Sequence, residues 1–421
     1  MHQAFRYEID PNDRQRTHLV KHAGCARFAY NWGLARRQEV FKQTGSSPNA
    51  IVLNRELNVL KAAELPWMYE VSKCAPQEAL RDLDRAYERF FTEIKAAKAE
   101  RRQTKVGPPR FKKKGRSRDS FRITGAIRVG QKWVQLPRLG KLRLKESTQK
   151  MRGRILGVSV SRLADRWFVS LRVEVLRPEP EFRTGATVGI DLGLLSFAVI
   201  SDEEQPVQGP KALDSGLRKQ RRLARCHSRR EKGSRNRKKS ARRLARHHRR
   251  VANIRRDFLH KLSTRLAKTK PVLVLESLNV AGMLGNRSLA RKIADSGWGE
   301  FRRQLEYKAR WYGCRLRMAP RFFPSSKTCS GCGAIKGEMA LSERVYSCEV
   351  CGLEIDRDRN AALNLARLVA ASSTETTKTP GGEAVRPAPR RRASEKQEPS
   401  RKCAVVTHAQ VSGNGTPLES F

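Results

Sequence analysis

The stretch Thr187-Val188-Gly189-Ile190-Asp191-Leu192-Gly193 decides the reading of this chain. An apolar strand delivers a carboxylate, and the glycines beside it let backbone or substrate approach closely. Residues 196–201 (Ser-Phe-Ala-Val-Ile-Ser) read as the return strand of a hairpin. A second strand follows the same plan: Pro271-Val272-Leu273-Val274-Leu275-Glu276 is five apolar residues and then an acid. In open α/β sheets, sites lie at the carboxyl edge where such an acid would stand. The third acid lies in Asp356-Arg357-Asp358-Arg359-Asn360-Ala361-Ala362, at the start of an amphipathic helix. From residue 183 onward, single apolar strands separated by long helices signal an α/β domain.

These acids suit a metal-dependent nuclease. Mg2+ prefers oxygen ligands and takes one or two carboxylates plus substrate phosphate oxygens. Two such ions about 3.5–4 Å apart can activate a water and stabilise a leaving oxygen. Taken singly, Asp358 also fits a helix N-cap, Glu276 a helix cap or arginine partner, and Asp191 a turn residue. Their joint occurrence on strand, strand and helix favours the catalytic reading. A second motif is Cys329-x2-Cys332-x15-Cys348-x2-Cys351, each knuckle ending in glycine (Gly333, Gly352). That spacing is a four-thiolate zinc ribbon, structural and closed. The other five of the nine cysteines show no framework, which points to a reducing compartment.

Outward from these motifs the chain is 421 residues with 88 Lys+Arg against 41 Asp+Glu, a net charge of +47. So basic a chain repels itself unless an anion compensates, and nucleic acid is the expected partner. Apolar runs such as 271–275 are far too short to span a bilayer, and the first residues carry no apolar leader, so a cytoplasmic, nucleoid-associated protein without a membrane partner is expected. There is no Walker lysine loop, Ser/His/Asp set or dinucleotide glycine fingerprint. Residues 12 to about 100 read as helices, and 121–175 as strands with a hairpin turn at Ala164-Asp165. Between them, 105–118 is a Pro- and Gly-broken loop with seven basic residues. Pro178 and Pro180 mark a linker. Residues 218–256 hold nineteen Lys/Arg and one acid, Glu231, above an apolar stripe at Leu244, Val251, Ile254, Phe258, Leu262 and Leu266. A one-sign face of this length reads as lying along phosphates, His247 and His248 with it. The expected contacts are Arg110, Lys112, Lys113, Lys114, Arg222, Arg237, Lys238, Arg242, Arg243, Arg249 and Lys327. Residues 371–421, rich in Ser, Thr, Pro and Gly, read as a disordered tail.

The motifs resemble the TnpB family, insertion-sequence-encoded RNA-guided DNA nucleases related to type V CRISPR effectors. The resemblance spans residues 1 to about 370. It is carried by Gly24-Cys25-Ala26-Arg27-Phe28-Ala29-Tyr30-Asn31-Trp32, Gln77-Glu78-Ala79-Leu80-Arg81-Asp82-Leu83-Asp84, Leu136-Pro137-Arg138-Leu139-Gly140 and the Asp191 motif. Gly297-Trp298-Gly299-Glu300-Phe301, Phe323-Pro324-Ser325-Ser326-Lys327-Thr328-Cys329 and the Asp358 segment complete it. It implies a multi-domain α/β plus β protein: a first wedge strand at 1–11, a helical recognition domain inserted at 12–104 and a β-barrel wedge at 105–182. An RNase H-like (RuvC) nuclease domain would follow at 183–370, with a zinc ribbon at 325–355, and the tail at 371–421. It also implies Asp191, Glu276 and Asp358 as the catalytic acids holding Mg2+ or Mn2+, with Asp356 the alternative third acid. The partners would be a guide RNA from the mobile element and a double-stranded DNA target bearing a short flanking motif, read near Ser72, Gln77 and Ser120. The sequence does not fix the oligomeric state, and a monomer is favoured. Rival readings are a DNA transposase using the same acids for strand transfer, and a non-catalytic regulator.

Overall fold

In the computed structural model, which describes residues 1–374 apart from Lys105, Arg177, Glu179 and Leu341, strand β1 (His2–Ile9) leads into three helices. These are α1 (Asp13–Thr44), α2 (Ala50–Ala63) and α3 (Cys74–Ala99). Helix α1 starts at Asn12, whose side chain accepts the Gln15 amide at 2.8 Å while Gln15 Oε1 accepts the Asn12 amide at 3.1 Å. It stops at Gly45 in the left-handed conformation, φ +69°. Strands β2 (Ser120–Ile123), β3 (Arg128–Gly130), β4 (Trp133–Leu136), β5 (Gly140–Arg143), β6 (Arg154–Leu163) and β7 (Arg166–Glu174) follow. They build two antiparallel sheets, β1-β7-β6-β2 and β3-β4-β5. Strand β1 pairs with β7 from His2↔Glu174 to Ile9↔Trp167, so the helices are an excursion between two strands of one sheet. Helices and sheets share one apolar core, in which Leu19, Leu34, Leu80 and Leu83 join Phe121, Val160, Val169 and Leu171.

The second half is a different layer structure. Strands β8 (Thr187–Asp191) and β9 (Val199–Ile200) form the short hairpin, then come helices α4 (Ala212–Ser228) and α5 (Arg235–Thr269) and strand β10 (Val272–Leu275). Helices α6 (Val280–Met283), α7 (Ala290–Ser296) and α8 (Trp298–Tyr312) precede β11 (Arg315–Met318), the small hairpin β12 (Val345–Ser347) and β13 (Glu354–Asp356), and helix α9 (Arg357–Thr374). The sheet order is β11-β10-β8-β9, with β8, β10 and β11 parallel and β9 antiparallel. Alternation along the strands sorts the faces. Val188, Ile190, Leu273 and Leu275 pack with Leu259, Leu262, Leu266, Phe301 and Leu305 of α5 and α8, while Val274 packs with Leu365 of α9 on the other side.

Two expectations change. The stripe on α5 runs through Val251, Leu259, Leu262 and Leu266 with Phe258 packed beside it, whereas Ile254 is 41% exposed, because at about 100° per residue it falls on the side of Val251 away from Leu259 and Leu266. Helix α9 also runs to Thr374, past the expected start of the tail; residues 375–421 of that tail lie outside the described residues. Among the described residues no helix is long and apolar enough to cross a membrane.

Candidate active site

Asp191 ends β8, and Glu276 follows the last residue of the neighbouring parallel strand β10, whose Leu275 is level with Ile190. Two carboxylates therefore stand side by side at the carboxyl edge of the sheet. Helix α9 brings the third. It lies so close to β8 that a Cβ on Gly189 would sit 2.0 Å from Ala362 O and 2.6 Å from Ala366 N. That contact seats the first turn of α9, with Asp358, above the strand end. Asp191, Glu276 and Asp358 are all partly buried. Burial, followed by the charges of Glu276 and Asp358, holds the Asp191 carboxyl well above the usual carboxylate range. The opposing charge nearest in effect is Arg357, whose Nε lies 3.6 Å from Asp358 Oδ1. The set is hard, anionic and mutually repulsive, which fits a divalent cation.

Asp356 is placed differently. It is exposed at the end of β13 and accepts the Arg359 amide at 2.9 Å, the hydrogen bond of a helix cap. Ser325 was not singled out from the sequence, although it lies in a quoted motif. Its hydroxyl donates to Glu276 Oε1 at 2.6 Å and fixes that carboxylate. Nothing in the local pattern around Ser325 announces a partner 49 residues away.

The four cysteines converge. Cys329 and Cys351 Sγ are 3.6 Å apart, as are Cys332 and Cys348 Sγ. Among the described residues this is the one set of three or more His, Cys, Asp or Glu side chains whose ligand atoms all lie within 4.8 Å of one another. Zn–S bonds of about 2.3 Å in a tetrahedron put sulfurs about 3.8 Å apart, so the thiolates fit zinc. The module is tied to α9. Asn360 accepts the Ser330 amide at 2.8 Å and donates to Thr328 O at 2.7 Å, and Asn364 donates to Ser325 O at 2.8 Å and Thr328 O at 2.6 Å.

The basic residues divide into two groups. Arg110, Lys113, Lys114, Arg222, Lys238, Arg242 and Arg243 are exposed. Lys112 instead sets its Nζ 3.6 Å from the Tyr30 ring centroid and clasps Asn31 by backbone bonds of 2.8 and 2.9 Å. Arg237 donates to Arg230 O at 2.5 Å, closing the end of α4, and Lys327 donates to Gly337 O at 2.7 Å inside the cysteine module. Arg249 is 15% exposed and lies 4.0 Å from Glu8. These four hold the fold together, because their cationic ends are taken up by protein groups. His247 is likewise buried rather than phosphate-facing: its Nε2 lies 3.1 Å from Gly216 O, where α4 packs on α5, while His248 is exposed. Ser72 is buried and donates its amide to His22 Nε2 at 3.0 Å, so it is not offered at the surface; Gln77 is partly buried and Ser120 exposed. The sequence reading passed over Arg6, Arg256 and Arg303, which line a cleft of about 840 Å³ between β1, β7, α5 and α8. Burial and then the charges of Arg256, Arg118 and Arg249 lower the pKa of Arg6, the mark of crowded positive charge.

Sequence profiles match the chain in three places. They are OrfB_IS605, described as a probable transposase, over residues 170–287, the Cas12f1-like TNB domain over 298–365, and a helix-turn-helix domain over 1–46. In that last span the structure holds β1 and the single long helix α1. A Streptomyces pristinaespiralis protein named as an RNA-guided DNA endonuclease is 38% identical over 420 residues, covering 96% of this chain and 98% of its own. InsQ of Escherichia coli K12, named likewise, is 32% identical over 383 residues, covering 86% and 91%. The solved Cas12f1–sgRNA–target DNA complex shares the fold, with a TM-score of 0.51 at 17% identity over 84% of this chain and 83% of that one.

Proposed function

We propose that this chain, which belongs to the TnpB family of insertion-sequence-encoded RNA-guided DNA endonucleases, cuts DNA matched to a guide RNA by hydrolysis at Asp191, Glu276 and Asp358. The observation that carries the site assignment is the meeting of these acids at one sheet edge, where burial and then the charges of Glu276 and Asp358 raise the Asp191 carboxyl above the usual carboxylate range. Mg2+ or Mn2+ bound there would supply an activated water and neutralise charge at the leaving oxygen. The protein's own part is positional. Ser325 aims Glu276, Gly189 lets α9 carry Asp358 to the strand end, and Asp356 caps that helix, which favours Asp358 as the third acid.

The β11-β10-β8-β9 sheet with its helices at 183–370 is then the RuvC-like nuclease domain, and the cysteine module at 325–355 a structural zinc ribbon. Residues 1–11 with 105–182 form the wedge, and 12–104 the recognition helices. Guide RNA and target would lie against Arg110, Lys113, Lys114, Arg222, Lys238, Arg242 and Arg243 and in the cleft at Arg6 and Arg256, where Arg303 is already paired with Glu300. Phosphate contacts position the duplex while base pairing specifies it, so no base-reading element is needed for the matched segment. Gln77 and Ser120 remain as readers of a flanking motif.

The test is to purify the protein from cells carrying its native locus, sequence the protected RNA, and offer a plasmid bearing the matching segment. Guided cutting that disappears in Asp191→Ala, Glu276→Ala and Asp358→Ala, with RNA still bound, is the expected result. Strand-transfer products made without RNA would replace this reading with the transposase one.

A further inference from the structure

Strand β11 ends at Met318, level with Leu275, and Ala319 still donates its amide to Leu275 O at 2.8 Å. The chain therefore leaves the sheet beside Glu276. Phe323 then donates its amide to Pro320 O at 3.1 Å, closing a turn whose two central residues are Arg321 and Phe322. The base of this turn is pinned: Phe323 packs against Val274, Ala319 and Leu365, and Ser325 is bonded to Glu276. Phe322 points the other way. It is 87% exposed, with the Arg321 guanidinium 5.2 Å from its ring centroid. An aromatic ring left in water on a rigid turn contributes nothing to the core, since its stabilising effect comes from burial. An exposed ring beside a cation does suit single-stranded nucleic acid, where bases stack on aromatic faces and a cation takes the phosphate.

We propose that Phe322 is a positioning residue on which one unpaired base of the DNA strand being cut stacks, with Arg321 on an adjacent phosphate. The turn's shared anchorage with Glu276 holds the stacked strand at the sheet edge that carries the acids, a binding contact made alike before and during cutting. This inference rests on the nuclease reading above. Because every base presents a π face, the platform is sequence-tolerant, as a guided nuclease requires.

The experiment uses the full chain with the guide RNA recovered from its locus and a matched DNA duplex. Phe322→Ala should raise KM for cutting about 5- to 150-fold, the range for one base stack, while kcat is kept and the melting temperature is unchanged. Phe322→Trp should restore KM. In a complex held uncut by Asp191→Ala, 2-aminopurine placed near the cut site should be quenched, less so when Phe322→Ala is added. Wild-type KM and quenching in Phe322→Ala would overturn the proposal, and so would a loss that Phe322→Trp fails to rescue. Failure of the wild-type complex to cut would instead refute the nuclease reading, whatever Phe322 does.

Discussion

Gly189→Ala should disable the nuclease without touching an acid. A Cβ at this position would lie 2.0 Å from Ala362 O, 2.6 Å from Ala366 N and 2.8 Å from Leu365 Cβ, and ordinary contact begins at 3.4 Å. The helix must therefore withdraw by about 1.4 Å, the difference between 3.4 and 2.0 Å. The strand cannot yield freely, because Gly189 donates its amide to Ser201 Oγ at 3.0 Å and β8 is paired on both sides. Overpacking typically costs about 1–3 kcal/mol, and a clash with helix backbone belongs at the upper end. The effect on catalysis should be larger than on stability. Displacing a reacting group by about 1 Å can cost about 100-fold, and Asp358 moves with α9. Gly299→Ala is the control: nothing lies within 4 Å of its added Cβ, so it should keep full activity. Guided plasmid cutting, RNA binding and melting would be measured on both variants. Cutting by Gly189→Ala within about threefold of wild type would refute the claim that this helix–strand contact places the third acid.

Removing zinc with a strong chelator, or the Cys329→Ser change, should release the cysteine module and abolish cutting while RNA stays bound, because Asn360, Asn364 and Ser325 couple the module to α9 and Glu276. Metal content and limited proteolysis would report the release, and full cutting by zinc-free protein would contradict it. His22 gives a pH dependence: burial lowers its pKa from 6.5 to about 4, so the folded state refuses a proton that the unfolded state takes. Stability should thus fall as pH drops from about 6.5 to 4, by about 3 kcal/mol in all, and an equally steep fall in His22→Gln would exclude His22 as the cause.

What the sequence disclosed was whatever depends on neighbours along the chain. The apolar run before Asp191 and Glu276, the cysteine spacing and the turn at Ala164 are local signals, and each appears in the structure as a strand end, a thiol cluster or a hairpin. Gly189 was legible as a place of close approach, though not that α9 backbone fills it. The errors all came from tertiary packing. His247 sits in a basic run, yet the face it shares with Gly216 is decided by where α4 folds back on α5. Ser72 looks accessible until His22 is seen across from it. Strand β11, Arg-Leu-Arg-Met, lies at the sheet edge and has too little apolar content to be told from a loop. Lys112 and Arg237 are indistinguishable by type from the arginines and lysines that remain free for phosphates.

The charge of the whole chain and that of its centre have opposite signs, and this separates binding from cutting. A net +47 draws polyanions from any direction. At the sheet edge, however, the field belongs to Asp191, Glu276 and Asp358, because interactions between exposed charges fade within about 8–10 Å at physiological salt. A phosphodiester delivered by the basic surface therefore meets local repulsion in its last few ångströms unless a divalent cation offsets it. Removing one carboxylate relieves that repulsion. In the absence of divalent cations, Asp191→Ala, Glu276→Ala and Asp358→Ala should hold guide-matched DNA at least as tightly as the wild type. Weaker binding by all three would mean that the acids support the fold of the nucleic-acid surface rather than a metal-dependent centre.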